Sequence, residues 1–243
     1  MTAGKKTIAI ALLTAALLFA FREHLHFDPA SYSAGFADSE TRFGVPNFWN
    51  VATNLGFLLL GVLGFRRRAQ VPAAYRGLGA VFSLAVAGTA FGSSYFHYAP
   101  SPATLFWDQL PMSVGFASFV GMVVADRANA AAGRALGIAL VVLGPLSVAN
   151  IYFGTGATEF YLALQFGSLL FAILVLAVVH GGEMRTSFIL VGLFAYILAK
   201  VFERQDAAIY ARLGFSGHSL KHLAATVAIA AILRGVEGDR NSA

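Results

Sequence analysis

The chain has 243 residues, 58% of them hydrophobic and only 12% charged, with a mean hydropathy of +0.70. A soluble domain carries about 25% charged residues, so the composition excludes an ordinary soluble globule. The formal net charge of +5 is no nucleic-acid signature, because the basic residues cluster in short loops such as Arg66, Arg67 and Arg68. There is no cysteine, which removes disulfides and thiolate metal sites and leaves His, Asp, Glu, Asn or backbone oxygen as metal ligands.

Behind Lys5 and Lys6 the first apolar run, TIAIALLTAALLFAF at 7–21, is short for a span. The following AFREH offers no clean small-residue cleavage site, so the run reads as an uncleaved anchor helix. A polar loop reaches to about 45. Seven longer apolar segments are predicted near 46–65, 77–98, 105–125, 135–153, 159–180, 186–203 and 217–234, with Pro111 and Pro145 inside two of them. Strand alternation, internal repeats and low-complexity tracts are absent. The expected fold is therefore all-α and polytopic: an anchor helix and outer loop over 1–45, then a seven-helix domain over 46–243.

Orientation follows from the basic residues. With the N-terminus inside and eight crossings, the inner side holds Lys5, Lys6, Arg66, Arg67, Arg68, Arg76, Arg127, Arg134, Arg185, Arg234 and Arg240. The outer side holds Arg22, Arg42, Lys200, Arg204, Arg212 and Lys221. Eleven against six favours both ends inside.

Under that topology the polar residues converge. Ser93 and His97 stand four apart at the outer end of the second core helix and share a face. Asp108 falls in the first turns of the third. His218 and His222, again four apart, open the seventh. Singly, each has a plainer explanation: a histidine bonding a carbonyl, a serine in a packing stripe, an aspartate capping a helix. Together, three histidines and an acid at one membrane depth point to function, because ionisable groups there are costly. Three imidazoles with an exchangeable fourth position suit zinc, which lowers the pKa of bound water from 15.7 to about 7. A carboxylate beside it can take the water's proton, and a hydroxyl can donate to a developing oxyanion.

These residues resemble the alkaline ceramidase family of seven-helix membrane hydrolases, within the CREST superfamily. The shared pattern is a serine four residues before a histidine that follows Phe, an aspartate eleven residues later, and a terminal H-xxx-H. The chain has Ser93-Ser94-Tyr95-Phe96-His97, then WDQLP with Asp108, then His218-Ser219-Leu220-Lys221-His222. NFWNVATNLGF from Asn47 looks like the family's E-F-W-N-x-x-S-N segment, and the likeness spans about 38–233. Gln109 stands where Glu is common.

The resemblance implies that His97, His218 and His222 bind zinc, that Asp108 activates water and that Ser93 stabilises the oxyanion. It implies hydrolysis of a ceramide to a sphingoid base and a fatty acid. Family members from animals also bind calcium through an acidic N-terminal segment and the Glu before F-W-N. Asp38, Glu40, Asn47 and Asn50 are the corresponding candidates here, with fewer acids and different spacing; calcium prefers six to eight oxygens.

Elsewhere, His24 and His26 read as interfacial and His180 as lying at the opposite end. Lys200, Glu203, Arg204 and Asp206 read as a solvated helix end, and Asn150, Tyr152 and Glu159 as candidates for the rim of the site. The expected partner is a ceramide-like membrane lipid reaching the site sideways from the bilayer, not a nucleic acid. The expected location is a bacterial inner membrane with the site toward the periplasm. Three alternatives stand at this point: hydrolysis of another lipid amide or ester, a zinc-containing receptor of the progestin and adipoQ type, and a transporter whose histidines relay protons.

Overall fold

The computed structural model describes residues 1–238; Arg240, counted above on the inner side, lies outside the described residues. Among the described residues the fold is all-α. Of the described helical segments eight are long and apolar enough to cross a membrane, and the sole β pairing among the described residues is the isolated bridge between Arg42 and Val45. The protein is a polytopic helical membrane protein.

Five of the described helices begin where a polar side chain satisfies a free N–H group of the first turn. α1 (Ala3–Ala20) packs on α8 (Glu159–Val178) through a face that buries Thr7, Ile10 and Thr14. A short α2 (Pro29–Ser33) is capped by Asp28, whose carboxylate accepts from the N–H groups of Ala30 and Ser31. α6 (Pro102–Arg127) starts with a reciprocal box in which Ser101 and Thr104 satisfy each other's backbone N–H, with Pro102 at the first helical position. Asn129 caps α7 (Ala130–Phe153) and Ser216 caps α11 (Gly217–Val236).

The first core span differs from the unbroken helix expected over 46–65. It is two pieces, α3 (Phe48–Ala52) and α4 (Leu55–Arg66), separated at Thr53 and Asn54. The reason is local. The Thr53 hydroxyl donates to the Trp49 carbonyl at 2.7 Å and the Asn54 amide donates to the Asn50 carbonyl at 3.0 Å. The Asn54 side chain therefore takes the Asn50 carbonyl, and the Asn54 N–H turns to Val51 O instead, while Trp49 O accepts from both the N–H and the hydroxyl of Thr53. A further helix, α10 (Asp206–Leu213), follows α9 (Thr186–Arg204) where no element was expected.

α6 is central. It packs on α5 (Arg76–Tyr98), on α7 and on α8, while α9 pairs with α11. Small residues allow the closest approaches, as where Gly121 faces Gly137 and Gly61 faces Ala87. Large apolar side chains such as Leu59, Phe91, Leu146 and Phe194 are exposed on the outside, as a lipid solvent permits.

At the end of α6 away from Asp108, the Asp126 carboxylate accepts from the N–H groups of Glu183 and Met184. Arg127 donates to the Met184 carbonyl and the Thr186 hydroxyl. This buried pair staples the α8–α9 connection to α6.

Candidate metal centre

The α5–α6 contact places Ser93 beside Asp108. Pro111 has no N–H to return to the Trp107 carbonyl one turn earlier, and Gly92 packs against that freed oxygen. A Cβ at Gly92 would collide with the Trp107 oxygen and come within 3.3 Å of the Asp108 Cα. The glycine is thus what lets the helices close. Ser93, 2% exposed, lies beside the buried Asp108 carboxylate, and both line one cavity. The Ser93 hydroxyl has one proton, so it can serve Asp108 or a group in the cavity, one at a time.

His97, His218 and His222 are buried together, and one ring nitrogen from each lies within 4.8 Å of the others. No other group of three His, Cys, Asp or Glu side chains among the described residues brings ligand atoms together in this way. His97 Nε2 and His218 Nε2 are 3.3 Å apart. Tetrahedral zinc at about 2.0–2.1 Å from each nitrogen separates two ligands by about 3.3 Å, so this pair already has the span the ion requires.

His222 Nδ1 lies 2.9 Å from the Thr53 hydroxyl. That hydroxyl's proton is directed to Trp49 O, so Thr53 accepts and His222 Nδ1 carries the hydrogen. The Nε2 lone pair is then left for a metal, the arrangement in which a second partner fixes the tautomer of a ligating histidine. His97 Nδ1 is buried without a hydrogen-bond partner. The donor set is neutral nitrogen and suits zinc, copper, nickel or iron; a group of this kind fits the residues present.

The polar loop before α3 covers the triad. Phe36 places its ring edge-on against His97, centroids 4.7 Å apart, and 4.6 Å from His218. Asp206 holds the loop to α11 by accepting from Ala37 N at 3.0 Å and His218 N at 2.9 Å. Asn47 donates to the His97 carbonyl, and Asn50 accepts from Ser216 and Ser219 while donating to the Asp38 carbonyl. Of the calcium candidates, then, Asn47 and Asn50 tie the loop to the bundle. Asp38 is buried and accepts from Glu40 N, and Glu40 pairs with Arg42 at the surface.

The expectation of a solvated helix end at Lys200, Glu203 and Asp206 is corrected. The Glu203 side chain is 14% exposed and pairs with both Lys200 and Lys221, and Tyr32 donates to it at 2.7 Å. Burial beside the Glu203 carboxylate pushes the Tyr32 phenol well above its ordinary value, so it remains a donor. Sequence reasoning placed none of Phe36, Thr53, Tyr32 or Lys221 at the centre. Lys221 alone carried a signal, being a charge within an apolar helix.

Beside the triad lies a cavity of about 370 Å³, within the range of small-molecule sites. Its walls are mainly apolar, including Phe82, Val86, Phe116, Leu169, Leu193 and Ile229. Its polar groups include Ser93, Asp108, Gln109, Gln165, Glu203, Lys221 and His222. Tyr152, expected at the rim, donates to Gln109 at 2.8 Å. His24 and His26 are exposed and also border the cavity, whereas His180 is exposed and outside the triad.

No protein-family model, no curated protein and no solved structure matches the chain.

Proposed function

We propose that the protein is an intramembrane zinc-dependent lipid amide hydrolase, in the first instance a ceramidase that releases a sphingoid base and a free fatty acid. The observation that carries this reading is the buried histidine triad opening, through His222, onto an apolar cavity that also holds Asp108 and Ser93. The spacing shared with alkaline ceramidases supports the same assignment.

His97, His218 and His222 would hold the ion. Zinc, when bound, would supply an activated water and polarise the amide carbonyl. Asp108, beside Ser93, takes the water's proton on its carboxylate and returns it to the departing amine nitrogen. Ser93 can turn its hydroxyl to the developing oxyanion once Asp108 is protonated and has less need of a donor. The phenylalanine-rich cavity wall keeps an acyl chain in apolar surroundings, so a lipid reaches the centre from the bilayer without exposing its chain to water.

The basic residues support an outward-facing site. Lys200 and Lys221 turn onto Glu203 as Arg127 turns onto Asp126, so leaving out these paired groups keeps the asymmetry in favour of both ends inside. In a bacterial inner membrane the centre would face the periplasm.

The test is fatty-acid release from a panel of ceramides by purified protein, beside His222→Ala. Release by the wild type that falls by at least about a thousandfold in the variant is the expected result. No release from folded, zinc-loaded wild type would overturn the ceramidase reading and move attention to other lipid amides and to a receptor role.

A further inference from the structure

The hydrolytic reading leaves the Lys221 ammonium unused. Its side chain is only 15% exposed. Nζ lies 2.7 Å from Glu203 Oε1, 3.2 Å from His218 Nε2 and 3.4 Å from the Tyr32 hydroxyl oxygen. An ammonium has three donors and no acceptor, and these three contacts use them. Glu203 is shared: Lys200 pairs with it and Tyr32 donates to it. One carboxylate therefore answers two ammonium groups.

The contact with His218 conflicts with the role of that residue. The Nε2 lone pair that accepts from Lys221 is the lone pair a metal would take. A cation in the triad removes one of Lys221's three acceptors and sets a second positive charge beside it. Among the described residues no carboxylate but Glu203 pairs with Lys221: Asp108 faces it only at longer range, and Asp206 accepts from the N–H groups of Ala37 and His218. A buried ammonium that loses an acceptor next to a cation is unfavourable. An anion lying between the two positive groups answers both.

We propose that Lys221 is a carboxylate-recognition residue and that the centre binds long-chain amphiphiles bearing a carboxylate, with the chain in the adjoining cavity. This rests on the reading of the triad as a metal site. A phosphate would also be anionic, but amide hydrolysis itself produces a carboxylate at this position. The carboxylate has two sources: the amine half of the substrate, as in an N-acyl amino acid, or the released fatty acid.

The experiment compares dodecanoate with dodecanol, equal in chain length and different in charge, binding to the full chain in lipid nanodiscs by calorimetry. Zinc content is measured on the same samples. Wild type should bind dodecanoate at least about tenfold more tightly than dodecanol. Lys221→Gln should lose that preference while its dodecanol affinity is unchanged, and Lys221→Arg should retain it. Equal affinities in the wild type, or a preference that survives in Lys221→Gln, would overturn the proposal even if zinc is bound and ceramide is cleaved.

A second arm separates the sources by comparing cleavage of N-dodecanoylglycine and N-dodecanoylethanolamine. Faster cleavage of the glycine amide that disappears in Lys221→Gln assigns the carboxylate to the substrate. Equal rates, with dodecanoate inhibition that disappears in the variant, assign it to the product. If neither amide nor ceramide is cleaved, the hydrolase reading fails while the binding comparison still decides this one.

Discussion

The Thr53 hydroxyl has one proton, and the Trp49 carbonyl takes it; His222 Nδ1 must then be the donor across their 2.9 Å contact. This single bond decides which nitrogen of His222 faces the triad. Thr53→Val should lower zinc affinity by about 10–100-fold, read by competition with a chromophoric chelator, while Thr53→Ser should keep it. Equal affinity in Thr53→Val would mean that the ring is oriented by packing alone. The histidines, Asp108 and Ser93 were legible because four-residue spacings and polar types inside apolar runs are visible along the chain. Thr53 was not, because its partner is 169 residues away and an intrahelical threonine in an apolar span has a routine explanation. Lys221 was visible as an intramembrane charge, yet nothing local pointed to Glu203 or Tyr32 as its partners.

At the level of elements, position depends on two interruptions. The break between α3 and α4 turns Thr53 toward α11, and Pro111 in α6 frees the carbonyl against which Gly92 packs. Gly92→Ala would push a methyl into the Trp107 oxygen. Overpacking of this kind costs about 1–3 kcal/mol. The expected outcome is a lower thermal midpoint together with reduced turnover, since Ser93 and Asp108 sit next to that contact. A variant with unaltered stability and turnover would show that α5 and α6 need not approach so closely.

The loop over 22–45 also makes contacts that its local sequence does not display. Its composition reads as polar and exposed, but Phe36 lies against two of the three histidine rings. Phe36→Ala should speed zinc loss to excess chelator several-fold without abolishing equilibrium binding, because a cover controls access more than affinity. Unchanged loss kinetics would remove the loop's covering role. Span existence was readable from hydropathy throughout. The break in the first core span and the eight-residue α10 were not, because side-chain competition for carbonyls and short amphipathic turns leave little periodic signal.

For the molecule as a whole, the two ends of the bundle are separate structures joined by α6. Asp108 and Asp126 lie on that one helix, about 27 Å apart at 1.5 Å per residue. The centre occupies one end and the Asp126–Arg127 staple the other. Asp126→Ala should destabilise the fold by about 3–5 kcal/mol, as loss of one partner of a buried pair does, yet leave the zinc content of folded protein unchanged, since distant sites behave additively. Loss of metal in that variant would mean that the ends are coupled. Conversely, zinc removal should lower the melting temperature and added zinc restore it, by about 4 kcal/mol at a thousandfold excess over the dissociation constant.

All of these rest on one claim, that His97, His218 and His222 hold a metal ion. The direct measurement is elemental analysis of purified, folded protein, with X-ray absorption to identify the ligands of whatever ion is found, beside His97→Ala. One zinc per chain, bound by imidazole nitrogen and an oxygen and lost in the variant, is the expected result. Metal-free wild type with intact fold after zinc loading, or full occupancy in His97→Ala, would contradict it.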